Sequence, residues 1–495
     1  MPGCILSDLG AQSLNTDPKI RASSVLYWAG MAMIAAVILA GLILPLASLL
    51  RFVALDPNEG WNALFTRIAL RGGDLYPSPA GTVINNYPPL SFYIVGIVGR
   101  LMGDDVFAGR AVALLSMFIV GANIYLWLRA AGSSARAAYL GAGLFLAFAV
   151  SYAPAYVGMD DPQWLAHALM TGGLVVLWRG NAGTRAILIG SALMLAGGWS
   201  KHLLIPLPIA TTFWLARRSR PALRTWVGVS ALLLALTALL VWRLYGGAFF
   251  DSLHSAREFS RHQATVRVRT ALRFFAPMVA LSALLLPLGR RSERTEFATA
   301  YLLVAGAVAV IASGGIGVDL NANFDLLIAA CLCSALTAEA IWQRPLPGAL
   351  RSIPWGSVLT LVLGVYLSSK AAGLWPGTLR DLRDLDAREN ETLAAVHLIA
   401  EAGRGHAACE MPQLCYWAKS EFSVDFFNYG QRLKVGMQPL TPCEEVFDGR
   451  RVALVQLSSG GGRGSGQLPA ACNALIERNY ALRAESSLGA ILLPR

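Results

Sequence analysis

Charge is scarce in this chain. Only 14% of its 495 residues are Asp, Glu, Lys or Arg, and the 30 acids are outnumbered by 41 Lys and Arg. With 55% of residues hydrophobic, the composition falls outside the range of soluble globular domains. Several signatures of soluble catalysts are also missing. There is no Gly-x-x-x-x-Gly-Lys-Ser/Thr phosphate loop, no His-Glu-x-x-His, no Gly-x-Ser-x-Gly elbow and no paired Cys-x-x-Cys, which argues against a nucleotide motor, a zinc hydrolase or a serine hydrolase. No internal repeat is found, and the only low-complexity tract is the glycine run SGGGRGSG near the C-terminus.

What is abundant is apolar sequence. Runs near 20 residues, enough to cross a bilayer core, recur through the first three quarters of the chain. The first, VLYWAGMAMIAAVILAGLILPLASLL (25–50), is too long for a signal-peptide core and lacks a small-residue cleavage end, so it reads as a span. The net charge of +11 is spread over short loops between spans, a positive-inside pattern and not a nucleic-acid patch. Counting from a cytoplasmic N-terminus predicts about eleven spans, near 25–50, 108–128, 138–157, 163–179, 186–199, 203–216, 225–245, 271–289, 297–314, 323–342 and 355–374. The runs at 186–199 and 203–216 are short and read as a broken or re-entrant pair.

The expected fold is thus a polytopic α-helical membrane protein with a small C-terminal extracytoplasmic α/β domain. Residues 1–24 form a cytoplasmic arm, 25–374 the membrane body with long external loops at 51–107 and 246–270, and 375–495 the soluble tail. The piece PPLSFYIVGIVGRLMG is too short to cross and is expected to lie in the interface as an amphipathic helix. Cys409, Cys415, Cys443 and Cys472 all fall in the tail, an even number suited to disulfides whose pairing the sequence does not give. Cys4, Cys331 and Cys333 read as ordinary thiols.

Two acidic pairs lie at expected external ends of spans. In DPNEGW, Asp56 and Glu59 are i, i+3, which puts them on one face if a helix begins there. Ionisable groups beside a membrane interior often mark substrate sites, but solvated boundary carboxylates are equally ordinary. In GMDDPQW, one of Asp160 and Asp161 suffices to cap the following helix, leaving the other unexplained. The loop 246–273 is basic on the wrong side of the membrane, with Arg257 and Arg261 at i, i+4; guanidinium pairs suit phosphate oxygens. Lys201 and His202, in GGWSKHLLIPLP, lie near the same boundary; a single cation there is explained by snorkelling to headgroups, the cluster better by a phosphate-bearing ligand.

In order and spacing, NEGWNALFTRIALRGGDLYP, then NNYPPLSFYIVG (85–96), then SKHLLIPLP (200–208), then the tail stretch CEMPQLCYWAKSEFSVDFF resemble the GT-C glycosyltransferases, in particular protein O-mannosyltransferases and the bacterial lipid A aminoarabinose transferases. The resemblance implies transfer of a sugar from a polyprenyl-phosphate donor outside the cytoplasmic (inner) membrane of a bacterium, with a first-loop carboxylate at the centre. Glu59 matches the second acid of the family's pair, while Asn58 stands where the first is an acid, so Asp56 or Glu59 is the implied base. Asn86 and Tyr87 replace an acid and a lysine of the aminoarabinose branch, which implies a different sugar or acceptor. Lys201 matches the lysine that neutralises the donor phosphate.

Chemistry agrees with that reading: a base for the acceptor hydroxyl and cations for the leaving phosphate are what such a transfer needs. The expected site is therefore Asp56, Glu59, Asp160 and Asp161 as catalytic carboxylates, Lys201, His202, Arg257 and Arg261 at the donor phosphate, and Asn58, Asn86 and Tyr87 at the substrate. Membrane lipids and a lipid, glycan or protein acceptor are the implied partners. No cofactor is required by these residues, and a divalent cation stays open. The alternative is a transporter or flippase, or a non-catalytic binder, of lipid-linked sugars; charged groups clustered at one face, without repeats, disfavour transport.

Overall fold

A 31-residue helix, α1 (Pro18–Ser48), opens the computed structural model, which describes residues 18–78, 80–254, 258–289, 291–343, 353–448, 451–458 and 464–495. Two shorter helices follow, α2 (Pro57–Arg71) and α3 (Leu90–Met102), before the chain returns to long helices. These are α4 (Asp105–Ala130), α5 (Ala135–Tyr152), α6 (Gln163–Arg179), α7 (Thr184–Ser200), α8 (Pro206–Arg218), α9 (Arg220–Leu253), α10 (Arg261–Leu288), α11 (Glu293–Ala312), α12 (Phe324–Gln343) and α13 (Trp355–Arg383). Side-chain caps set several starts: Asp56 caps α2, Asp104 caps α4 and Ser134 caps α5. α2 and α3 end at left-handed Gly72 and Gly103, a conformation that costs any other residue steric strain.

Among the described residues, eight helices are long and apolar enough to cross a membrane: α1, α4, α5, α9, α10, α11, α12 and α13. The protein is thus a multi-pass membrane protein, but three of the eleven expected spans fall short. α6 and α7 have 17 residues each and α8 has 13. The chain leaves its helix after Ser200 and starts a new one at Pro206, so the expected broken pair is two separate helices, α7 on α6 and α9, and α8 on α9 and α11. α12 runs through the middle of the body, packed on α10, α11, α5 and α13, and α1 lies along α13 and α5.

The expected boundaries shift with the helices. α1 begins at Pro18, inside the expected N-terminal arm, whose first 17 residues lie outside the described part. α9 continues past a break at Gly246 (φ 66°) to Leu253, so the expected 246–270 loop shrinks to the stretch before Arg261. α13 passes through Pro376 to Arg383, well beyond the expected end of the membrane body.

After α14 (Leu385–Gly403) comes a small mixed domain: β1 (Ala407–Cys409), α15 (Pro412–Trp417), α16 (Phe426–Lys434), α17 (Thr441–Phe447), β2 (Leu454–Leu457), α18 (Ala470–Asn479), β3 (Tyr480–Ser486) and β4 (Gly489–Pro494). Its sheet has the order β1-β2-β4-β3, with β1 and β2 parallel and the other neighbours antiparallel. β2 is buried at every position, as its run LVQL within RVALVQLSS suggests. Disulfides join Cys409 to Cys415 and Cys443 to Cys472.

The tail sits on the first long loop of the body. α15 lies so close to α2 that a Cβ on Gly60 would come 2.0 Å from the Gln413 nitrogen. Thr82 Oγ1 donates to the Ser423 carbonyl (2.6 Å), and Asp425 N–H donates to the Thr82 carbonyl (2.8 Å). These contacts place the start of α16 directly over the start of α2.

Candidate functional site

Asp56 and Glu59 do not share surroundings, although both are at the start of α2. Glu59 is fully buried and its two oxygens meet Arg110, at 2.8 Å to Nε and 2.7 Å to Nη2. The remaining guanidinium protons go to the carbonyls of Ser48, Arg51 and Val53 at 2.6–2.9 Å. Arg110 thus spends all its donors on tying the end of α1, the start of α2 and the body of α4 together. Such a pair is held by geometry, and removing one partner strands the other charge.

Asp56 is half-buried, and one of its oxygens accepts the Asn58 N–H at 2.9 Å. Burial pushes its carboxyl up to about 6, against the pull of the Asn58 N–H, with Glu59, Asp161 and Asp319 adding to the rise. It stands where two cavities of about 400 Å³ each come together. One is an apolar groove between α1, α5 and α13, lined by residues such as Val37, Leu44, Val150, Leu374 and Trp375, with Asp381 and Arg388 beside it. Arg388 Nη1 lies 3.5 Å from Asp381 Oδ1, and both side chains are partly exposed.

The second cavity lies under the tail. Asn58, Trp61, Asn86, Tyr87 and Tyr156 line it from the body, and Asp425, Phe426, Phe427 and Asn428 from the tail. Asp425 accepts from Trp61 Nε1 (2.9 Å) and from Asn428 Nδ2 (2.7 Å), and Asn428 Oδ1 accepts from Asn86 Nδ2 (3.2 Å). Trp61 and Tyr87 meet edge to face at 4.8 Å. Aromatic rings interleaved with amides and carboxylates suit a polar ligand that also has apolar faces, as saccharides do.

The remaining predicted residues are placed as follows. Asp161 Oδ1 accepts the N–H of Gln163, the first residue of α6 (2.8 Å), and its Oδ2 lies 3.3 Å from Lys201 Nζ. Lys201 is buried, with its Nζ 3.6 Å from the centre of the Tyr87 ring. Asp160 is the unexplained second acid: burial drives its carboxyl well above the usual range, Glu59 and Asp161 add to this, and its Oδ2 has no hydrogen-bond partner. His202 is half-buried in the turn after α7, and Arg261 is exposed at the start of α10. Arg257 lies outside the described residues. Among the described residues, no group of three or more His, Cys, Asp or Glu is placed to hold a metal ion.

Sequence reading missed Arg110, Arg388, Asp319, Trp61, Tyr156 and Asp425. Arg110 left a signal, being an arginine inside the apolar run VFAGRAVALL, which membrane helices rarely tolerate without a partner. Trp61 lies on the helix that Asp56 caps, while Arg388, Asp319, Tyr156 and Asp425 gave no signal, since tertiary packing alone brings them to Asp56.

The architecture is shared with ArnT from Cupriavidus metallidurans. Its apo structure aligns with a TM-score of 0.62 at 13% identity over 93% of this chain and 97% of that one. The same protein bound to undecaprenyl phosphate gives 0.59 at 12% identity over the same shares. The Archaeoglobus fulgidus oligosaccharyltransferase, tethered to an acceptor peptide containing the NVT sequon, aligns at 0.54 with 12% identity, over 92% of this chain and 72% of that one. The chain therefore shares the fold of these two proteins. Residues 84–237, about a third of the chain, match a family model described as a 6-pyruvoyl-tetrahydropterin synthase related domain, membrane protein. No curated protein matches by sequence.

Proposed function

We propose that this protein is an inverting membrane glycosyltransferase that moves a sugar from a polyprenyl-phosphate donor to a hydroxyl of a lipid, glycan or protein, with Asp56 as the base. The observation that carries the reading is the position of Asp56 where an apolar groove meets a polar, aromatic-lined cavity. A lipid-linked sugar needs such a junction, because its chain and its reacting carbon require opposite surroundings. The fold shared with a protein solved with undecaprenyl phosphate supports the choice of donor.

In this reading the prenyl chain lies along α1, α5 and α13, with the donor phosphate near Arg388 and the acceptor in the cavity under the tail. Asp56 takes the acceptor proton while the acceptor oxygen attacks the anomeric carbon. The bond from that carbon to the phosphate oxygen breaks, and its electron pair leaves with the polyprenyl phosphate, whose charge Arg388 faces. Asp56 titrates at about 6, close to operating pH, where a base combines availability with proton affinity. Glu59 holds α2 against α4 through Arg110, and Lys201 sets the Tyr87 ring. The face of the membrane that carries the tail is the extracytoplasmic one, where a bacterium supplies sugar on lipid carriers.

The test is transfer by purified full-length protein in proteoliposomes, given a panel of undecaprenyl-phosphate sugars with lipid, glycan and peptide acceptors. Transfer by wild type that collapses in Asp56→Asn supports the reading. A bound donor and acceptor with no transfer overturns it, and donor flipping without transfer would favour a flippase.

A further inference from the structure

We propose a second ligand site, separate from the Asp56 junction, that binds the phosphate-bearing headgroup of an anionic membrane lipid. It is a pocket of about 600 Å³ between the C-terminal half of α2, the end of α3, the start of α4 and the tail helices α14 and α15. Four cations line it, Arg67, Arg71, Arg100 and Lys419, against two acids, Asp104 and Asp105.

Both acids are already engaged. Asp104 accepts the Val106 and Phe107 N–H groups at the cap of α4 and the Trp417 Nε1–H at 3.1 Å. Asp105 Oδ2 accepts the Tyr416 hydroxyl at 3.1 Å. The cations bond only to neutral groups. Arg67 Nη2 donates to the Tyr416 carbonyl (2.7 Å), its guanidinium lies 4.1 Å from that residue's ring, and its buried Nε has no hydrogen-bond partner. Arg100 Nη2 donates to the Leu70 carbonyl at 3.3 Å. Among the described residues, none of Arg67, Arg71, Arg100 and Lys419 forms an ion pair. With four cations against two acids the pocket carries an excess of positive charge, and guanidinium forks match phosphate oxygens.

Its position selects a lipid over a free anion. The pocket adjoins the first residue of the α4 span and the C-terminal end of α3, a 13-residue helix too short to cross. α3 exposes Ile97 (59%) and Leu101 (85%) beside it, an apolar flank that acyl chains would cover while the headgroup meets the cations. The cavity beneath the tail, by contrast, has no Lys or Arg in its lining among the described residues. The two sites would therefore hold ligands of different charge.

The probes are phosphatidylglycerol and phosphatidylcholine, counted as adducts on the full-length detergent-purified protein by native mass spectrometry. Wild type is expected to retain phosphatidylglycerol about tenfold over phosphatidylcholine. The triple variant Arg71→Gln, Arg100→Gln, Lys419→Gln, all at exposed side chains, is expected to lose that preference. A control with equal charge loss on the tail surface, Arg451→Gln, Arg478→Gln, Arg483→Gln, should keep it. The proposal is overturned if wild type shows no preference, if the pocket variant keeps it, or if the control loses it equally. Displacement of phosphatidylglycerol by an equal concentration of inorganic phosphate would overturn the lipid as ligand. A melting temperature close to wild type in the pocket variant shows that a lost preference is not unfolding.

Discussion

Asp56 and Glu59 are three residues apart at the start of one helix, yet the fold uses them in opposite ways. Glu59 is sealed among Arg110 and backbone groups, with no solvent contact and nothing left to offer a substrate. Asp56 has one oxygen fixed by its cap bond and stands between two cavities. The difference teaches that an acidic pair on a membrane boundary can divide its labour, one member building the platform on which the other works. Spacing alone does not reveal which is which, because the deciding partner, Arg110, lies 51 residues further along the chain.

The sharpest way to break this comparison is to neutralise each acid in turn. Asp56→Asn should lower transfer by about 10²–10⁴-fold with little change in melting temperature; near-normal turnover would remove Asp56 from the chemistry. Glu59→Gln should instead cost about 3–5 kcal/mol of stability by stranding Arg110, read as a fall in melting temperature in detergent. If Glu59→Gln melts like wild type while activity vanishes, the roles are reversed.

These two outcomes mark what was legible in the sequence. The membrane architecture was, because apolar runs are local signals, and so were the short apolar helix at Leu90–Met102 and the sheet-bearing tail. The stretch that houses the acids was legible from motif order. The contribution of the tail was not: nothing in SEFSVDFF signals that Asp425 accepts a hydrogen bond from Trp61 Nε1, more than three hundred residues earlier.

Smaller perturbations sharpen the contrast. Gly60→Ala pushes a Cβ into the α15 backbone and should cost about 1–3 kcal/mol, seen as faster proteolysis of the tail while the membrane body stays folded. Transfer by wild type should fall with acidification through about pH 6, where Asp56 takes up the proton that its burial favours. The sign follows from its role, since only the ionised form accepts a proton; a pH–rate profile flat from pH 5 to 8 would exclude it as base. Asn58→Asp, which restores the acid that the family resemblance places there, should change transfer least. Asn58 is exposed, and an added charge at a helix start is worth only about 0.3–1 kcal/mol. A large gain in rate would instead make position 58 a lost catalytic residue.

The reach of Asp425 and Asn428 across to Trp61 and Asn86 has a bearing on biogenesis. The cavity is lined from Asp56 to Tyr87 near the start of the chain, through Tyr156 and Asp319, to Asp425 and Asn428 in the tail, so a translation product that lacks the tail has no finished chamber. A ribosome must release the whole chain, and the tail must fold onto the loop laid down near the start of synthesis, before a substrate meets a complete site.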